Sequence, residues 1–233
     1  MELVKPIART ETSSIETALM AMAAGRPVVV ADDEDRENEG DLIVAAEFAT
    51  PETIAFMVRW TSGLLCVALP PARTRELDLP LMVERNTDSH QTAFTVSVDL
   101  KAGTSTGISA AERAATIRAL VDPEATGNDF ARPGHVFPLR AVANGVLERP
   151  GHTEAAVDLA RLAGLRPGGV IAELVNDDGS MARWPQLVEF ADRHALPLIT
   201  IKQLIDYRSR LDGEAGAVDV SLGELNCMAA LAA

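Results

Sequence analysis

"PVVVADDEDRENEGDLIVAAEF" (residues 27–48) sets two apolar runs on either side of a segment, residues 31–40, that holds six carboxylates and one arginine. "PVVVAD" and "DLIVAAEF" each read as a strand, being aliphatic and bounded by turn-forming residues. The acidic block between them has a plain reading as a solvated loop, since like charges repel and face water. Its other reading is a cation site. Part of its spacing imitates a calcium loop, with Asp35, Glu37, Glu39 and Gly40 at the first, third, fifth and sixth positions. The imitation fails at Ala46, where such a loop needs a bidentate glutamate. What is left is "DRENEGD", in which Arg36, Glu37, Glu39 and Asp41 crowd a strand-to-loop junction. Carboxylates this close repel unless a proton or cation intervenes, and hard divalent ions such as Mg²⁺ favour them.

Outward from this stretch, strands and helices alternate. "SSIETALMAMAAG" predicts a helix capped by Ser13 or Ser14 and ended by Gly25. "TPETIAFMVRWTSG" predicts another, with Thr50 as cap and Pro51 at its first position. "LLCVALP" reads as a buried strand in which Cys66 is a small core residue. Residues 71–105 are less patterned, with one clear strand, "TAFTVSVD". In "SAAERAATIRALV", Ser109 and Glu112 form a capping box. "TEAAVDLARLAG" reads as a helix, "GGVIAELV" as a strand, "NDDG" as a turn, "MARWPQLVEFADRHA" as a helix, and "LPLITI" with "KQLIDYRSRL" as a last strand and helix. This alternation predicts an α/β (α+β) chain with a mixed or parallel sheet covered by helices. Residues 1–210 form one expected domain, and 211–233 are too short for a second and read as a tail.

The 233 residues are 47% hydrophobic and 24% charged, ordinary for a globular protein. A formal net charge of -13 argues against nucleic acid and against anionic membranes as partners. It leaves room for a small anionic substrate, because distant charge is screened beyond roughly 8–10 Å. Two cysteines, Cys66 and Cys227, suggest no disulfide framework. With no apolar run of signal or membrane-spanning length, a reducing cytoplasm is the expected setting.

Three further places carry chemistry. In "RPGHTEAAVDLA" (149–160) the amides at a helix start near Thr153 make an anion site, and Arg149 adds a forked donor suited to phosphate. Thr153 either caps that helix or meets an oxyanion, and His152 offers a metal-binding nitrogen. The alternative is a plain capped turn. In "RPGHVFPL" (132–139) prolines flank His135, whose near-neutral titration suits proton transfer, although a lone histidine is more often structural. His90 and His194 have no comparable context and read as structural. Glu173 is the sole charge in "GGVIAELV", either a general base in an apolar setting or a side chain that emerges at the sheet end.

"DDEDRENEGDLIVAAE", "HQTAFTVSVD", "TGISAAER", "RPGHVFPLRA", "GHTEAAVDLARLAG" and "AELVNDDG" occur in that order between Ser14 and Arg208. Together they resemble the 3,4-dihydroxy-2-butanone 4-phosphate synthases of riboflavin biosynthesis. The resemblance implies a three-layer α/β sandwich and a homodimer with active sites at the subunit interface. It implies conversion of D-ribulose 5-phosphate to L-3,4-dihydroxy-2-butanone 4-phosphate and formate, with loss of C4. Mg²⁺ would be required, two ions per site, with Mn²⁺ as a substitute. The implied metal ligands are Glu37 and His152. Substrate contacts fall on Arg36, Glu37, Asp41, Arg149, Pro150, Gly151, His152, Thr153 and Glu173, and turnover on His135 and Glu173. Some members carry GTP cyclohydrolase II downstream, for which the tail here is expected to be too short. Trp60 and Ser62 in "RWTSGLLC", and the loop "NTDSHQT", depart from the family's usual runs.

Overall fold

The computed structural model describes residues 12–212. Cys227 and nearly all of the expected tail therefore lie outside the described residues. Seven strands form one mixed sheet: β1 Val28–Ala31, β2 Gly40–Ala45, β3 Cys66–Leu69, β4 Val98–Leu100, β5 Phe130–Arg140, β6 Gly169–Glu173 and β7 Leu198–Thr200. Their order is β4-β5-β3-β6-β2-β1-β7. The pairs β1/β7 and β3/β5 are parallel and the others antiparallel.

The central strands are apolar on both faces, and period-two alternation divides them between two cores. Val29, Leu42, Val44, Val67 and Val170 pack with Ile54 and Met57 of α2 (Pro51–Trp60), Ile117 of α4 (Ala110–Val121) and Leu187 of α6 (Trp184–His194). Val28, Val30, Ile43, Ala68 and Ile171 pack with Met22 of α1 (Ile15–Ala23), Leu159 of α5 (His152–Leu162) and Leu204 of α7, the helix over 201–212. Helix, sheet and helix make the expected three layers. No helix among the described residues is long and apolar enough to cross a membrane.

The capping signals hold. Ser14, Thr50 and Ser109 each accept a first-turn amide, and Ser109 with Glu112 completes the capping box. Strand lengths differ from expectation at three places. The second strand stops at Ala45, and Ala46–Phe48 forms a 3₁₀ turn that carries the chain toward the Thr50 cap. "TAFTVSVD" pairs continuously only at its end; before that, Phe94 and Thr95 make isolated bridges. Its neighbour explains this. The "RPGHVFPLR" segment, not expected to be a strand, is β5, and its Pro133 and Pro138 have no N–H to offer a ladder. A short helix, α3 (Pro71–Glu76), was also unmarked in the loosely patterned region.

Gly134 lets β5 approach β4. A Cβ there would overlap the backbone of Val98 and Asp99, and its N–H donates to Ser97 Oγ at 3.1 Å. Gly134→Ala therefore forces the two strands apart and lowers stability by about 1–3 kcal/mol, the usual penalty of overpacking. Urea denaturation of the variant beside the parent measures that loss, and an unchanged midpoint would contradict the close approach.

Candidate active site

Antiparallel pairing of β2 with β6 sets Asp41 opposite Glu173, and β3 sets Cys66 opposite Ile171. Ile43 and Ile171 lie in the core beneath α5, so by alternation Asp41 and Glu173 emerge on that same face, at the sheet's end. The buried alanines of α5, Ala155, Ala156 and Ala160, let the helix lie close to the strands. Ala156 Cβ is 3.0 Å from where a Cβ on Gly169 would stand. The start of α5 is thereby brought over the two carboxylates.

His152 is the first residue of α5, with Gly151 as N-cap. The helix thus starts near Thr153 as expected, but Gly151 and not Thr153 is its cap, which removes the capping alternative for Thr153. Thr153 lies buried in the first turn and lines the cleft. His152 Nε2 is 3.0 Å from the Val30 carbonyl. A carbonyl only accepts, so Nε2 carries hydrogen, and Nδ1 is left facing Glu37 Oε2 at 3.6 Å and Asp41 Oδ1 at 3.7 Å. The Asp41 oxygen is buried and has no hydrogen-bond partner among the described residues.

Charge follows from this packing. The His152 ring, helped by Arg36, holds the Glu37 carboxyl down to about 2 against the opposing effect of burial. Burial pushes Asp41 up to about 7 despite the attraction of His152. For His152 burial acts downward, but Asp41 and Glu37 outweigh it and raise the ring to about 9. Burial also raises the Cys66 thiol, with the charges of Glu173 and Asp41 adding to the effect. Cys66 therefore lines the cleft as a thiol rather than a thiolate.

The acidic run is an organised turn. Asp32 Oδ1 accepts the Glu39 N–H at 2.9 Å, and Oδ2 accepts the Glu37 N–H at 3.1 Å and Arg36 Nη1 at 2.9 Å. Arg36 also reaches Glu37 Oε2 at 2.6 Å. Asp32, Glu37 and His152 each offer a ligand atom within 4.8 Å of the others. Two hard carboxylates, an imidazole nitrogen and the unpartnered Asp41 oxygen beside them fit a divalent cation.

Glu37, Asp41 and His152 line a cleft of about 120 Å³ with Arg149 and Glu173. It adjoins a larger one of about 640 Å³ that shares Arg36 and is lined by Asp32, His90 and Pro150. Arg149 donates to Glu154 Oε2 at 2.6 Å and to the His90 carbonyl at 3.0 Å. A Cβ on Gly151 would overlap the Arg149 guanidinium and push it from its place beside Glu154. His90, expected to be only structural, has Nε2 4.0 Å from Glu37 Oε1.

His135 stands apart. It does not line either cleft; its Nδ1 lies 2.7 Å from Asp99 Oδ2, and its N–H donates to Asp99 Oδ1 at 2.9 Å. The side chain is 44% exposed. Asp99 was missed in the sequence, although it is a lone charge in "TAFTVSVD", the same signal that marked Glu173. Asp32, Ser62 and Glu154 gave no such signal, because each sits among polar neighbours or at a helix end.

Residues 16–207 match the family model of 3,4-dihydroxy-2-butanone 4-phosphate synthase. The chain belongs to this family. The synthase of Agrobacterium fabrum is 60% identical over 195 residues, 84% of this chain and 92% of that protein. The riboflavin biosynthesis protein RibBA of Salinispora arenicola is 59% identical over 209 residues. This chain spans about half the length of such RibBA proteins, 50% in that case. A crystal structure of a synthase in complex with two magnesium ions is 50% identical, with a TM-score of 0.84 over 86% of this chain and 99% of that one.

Glu154 is buried, and besides Arg149 it accepts the Val142 N–H at 3.1 Å. Glu154→Ala leaves both donors without their acceptor. It should lower stability by about 3 kcal/mol, as expected on breaking a buried ion pair, which chemical denaturation of the variant measures.

Proposed function

We propose that the protein converts D-ribulose 5-phosphate to L-3,4-dihydroxy-2-butanone 4-phosphate and formate in riboflavin biosynthesis, as a cytoplasmic homodimer. The observation that carries this reading is the meeting of Glu37, Asp41 and Glu173 with His152 and Arg149 in one cleft. Kinship with synthases at about 60% identity supports it, including the one that spans nearly the whole chain.

Glu37 and His152 would hold the metal, Mg²⁺ or Mn²⁺. Bound there, a divalent cation supplies Lewis acidity toward negative charge developing on a carbonyl oxygen. The Nε2 hydrogen bond to Val30 fixes the ring so that Nδ1 faces Glu37 and Asp41, and a cation held there would take the place of the Nδ1 proton. Arg36 and Asp41 contact the sugar oxygens. Arg149 and the amides of His152 and Thr153 at the start of α5 receive the phosphate, with Pro150 and Gly151, whose own N–H donates to the Arg149 carbonyl at 2.8 Å, shaping the approach. Glu173, paired in register with Asp41, is the proton-transfer group on the cleft wall.

His135 needs a second copy of the chain. Asp99 holds Nδ1 and leaves Nε2 as the exchangeable position, the arrangement of an oriented general base. Its exposure on β5, away from the cleft of its own chain, suits delivery into the cleft of a partner. A mixture of His135→Ala and Glu37→Gln subunits, each inactive alone, should then regain roughly a quarter of parental activity after subunit exchange, one intact site per mixed dimer. No recovery from a demonstrated heterodimer would place both residues in the same subunit's site.

Isotopic labelling tests the reaction. Ribulose 5-phosphate carrying ¹³C at C4 should give labelled formate and an unlabelled four-carbon phosphate, and chelation of divalent metal should stop both. Label retained in a five-carbon product would mean simple isomerisation, and formate from C1 would mean end cleavage. Glu37→Gln and His152→Ala should each abolish formate release with the fold retained by circular dichroism. Activity at unchanged metal dependence in either variant would contradict their assignment.

A further inference from the structure

Glu173 ends β6, and the turn that follows α2 is fastened to it. The Ser62 N–H donates to the Glu173 carbonyl at 2.8 Å, and the Ser62 hydroxyl donates to Glu173 Oε2 at 2.6 Å. The neighbouring residues brace this contact. Thr61 bridges to Leu174, and its hydroxyl donates to the Met57 carbonyl at 2.7 Å while accepting the Gly63 N–H at 3.2 Å. Gly63 turns the chain at φ +76°. From α4, the buried Arg113 contacts the Gly63 carbonyl at 3.4 Å.

Ser62 is itself exposed, so its hydroxyl is not forced into this bond by burial. A carboxylate at the end of a long side chain rotates freely about its last torsion unless something fixes it. Here one oxygen is committed to Ser62, and Oε1 accepts no hydrogen bond from any described residue although Glu173 lines the cleft. A neutral hydroxyl orients the carboxylate without neutralising it, whereas a cationic partner would compete with the substrate proton for its charge.

We propose that Ser62 is a positioning residue for turnover, its hydroxyl fixing the Glu173 carboxylate so that one oxygen faces the substrate. This rests on the role given to Glu173 above. The prediction separates orientation from binding and from folding. Ser62→Ala should lower kcat on the order of ten-fold, the value of a hydrogen bond to a charged group. KM for ribulose 5-phosphate should stay within about two-fold, as for an interaction used only in turnover. Ser62→Thr, which keeps the hydroxyl, should retain most of the activity. In the Glu173→Gln background the alanine substitution should add nothing, because the two residues act as one unit.

Steady-state kinetics at saturating divalent metal, with thermal melts of each variant, decide it. Parental kcat in Ser62→Ala beside an inactive Glu173→Gln would overturn the positioning role alone. An equal loss in Ser62→Thr, a change confined to KM, or a loss that tracks a lowered melting temperature would also overturn it. Full activity in Glu173→Gln would remove the role of Glu173 and this proposal with it.

Discussion

Burial of the Asp41 carboxylate against the His152 ring is the constraint around which the molecule is arranged. A charge in an apolar sheet is strongly unfavourable unless a partner of opposite charge lies beside it. Asp41 is almost wholly buried in the central antiparallel part of the sheet, and one oxygen has no hydrogen bond from any described residue. The compensation comes from 111 positions further along the chain, and it works only if α5 begins above the end of β2. The small side chains along α5 allow that approach, and the Val30 carbonyl turns the ring the right way. The balance left over, with Asp41 raised and Glu37 lowered, is a polar cleft with donors set for a cation.

The acidic loop acquires its meaning from the same arrangement. Six carboxylates in ten residues would repel in an extended chain, but Asp32 folds the loop around itself through two amides and Arg36. This turns Glu37 back toward His152. Of the remaining acids, Asp33, Glu34 and Asp35 stay at the surface while Glu39 lines the cleft, so the solvated-loop and cation-site readings each describe part of the run.

Two groups suited to proton transfer are held by different means. Glu173 is fixed by a neutral hydroxyl at the sheet end, and His135 by a buried carboxylate on the far pair of strands. The first lies in the cleft and the second faces outward. Local patterning reveals such residues only where a charge breaks an apolar run, as at Glu173 and Asp99. Ser62 and Glu154 act through contacts 111 and five residues away, and nothing in their immediate neighbours marks them.

Caps, alternation and helix periods are local properties, and the sequence by itself determined them: the Ser14, Thr50 and Ser109 caps, the central strands, and the mixed layering. The tetrapeptide "RPGH" shows where that ends. At 132–135 it lies inside β5, where Gly134 packs on β4 and His135 bonds Asp99. At 149–152 it opens α5, where Gly151 is the N-cap and His152 faces Asp41. Four identical residues have the same intrinsic preferences, so those preferences cannot choose between strand and helix start. Tertiary structure decided it, because one copy is hemmed in by the backbone of a neighbouring strand and the other by a buried carboxylate that needed a partner.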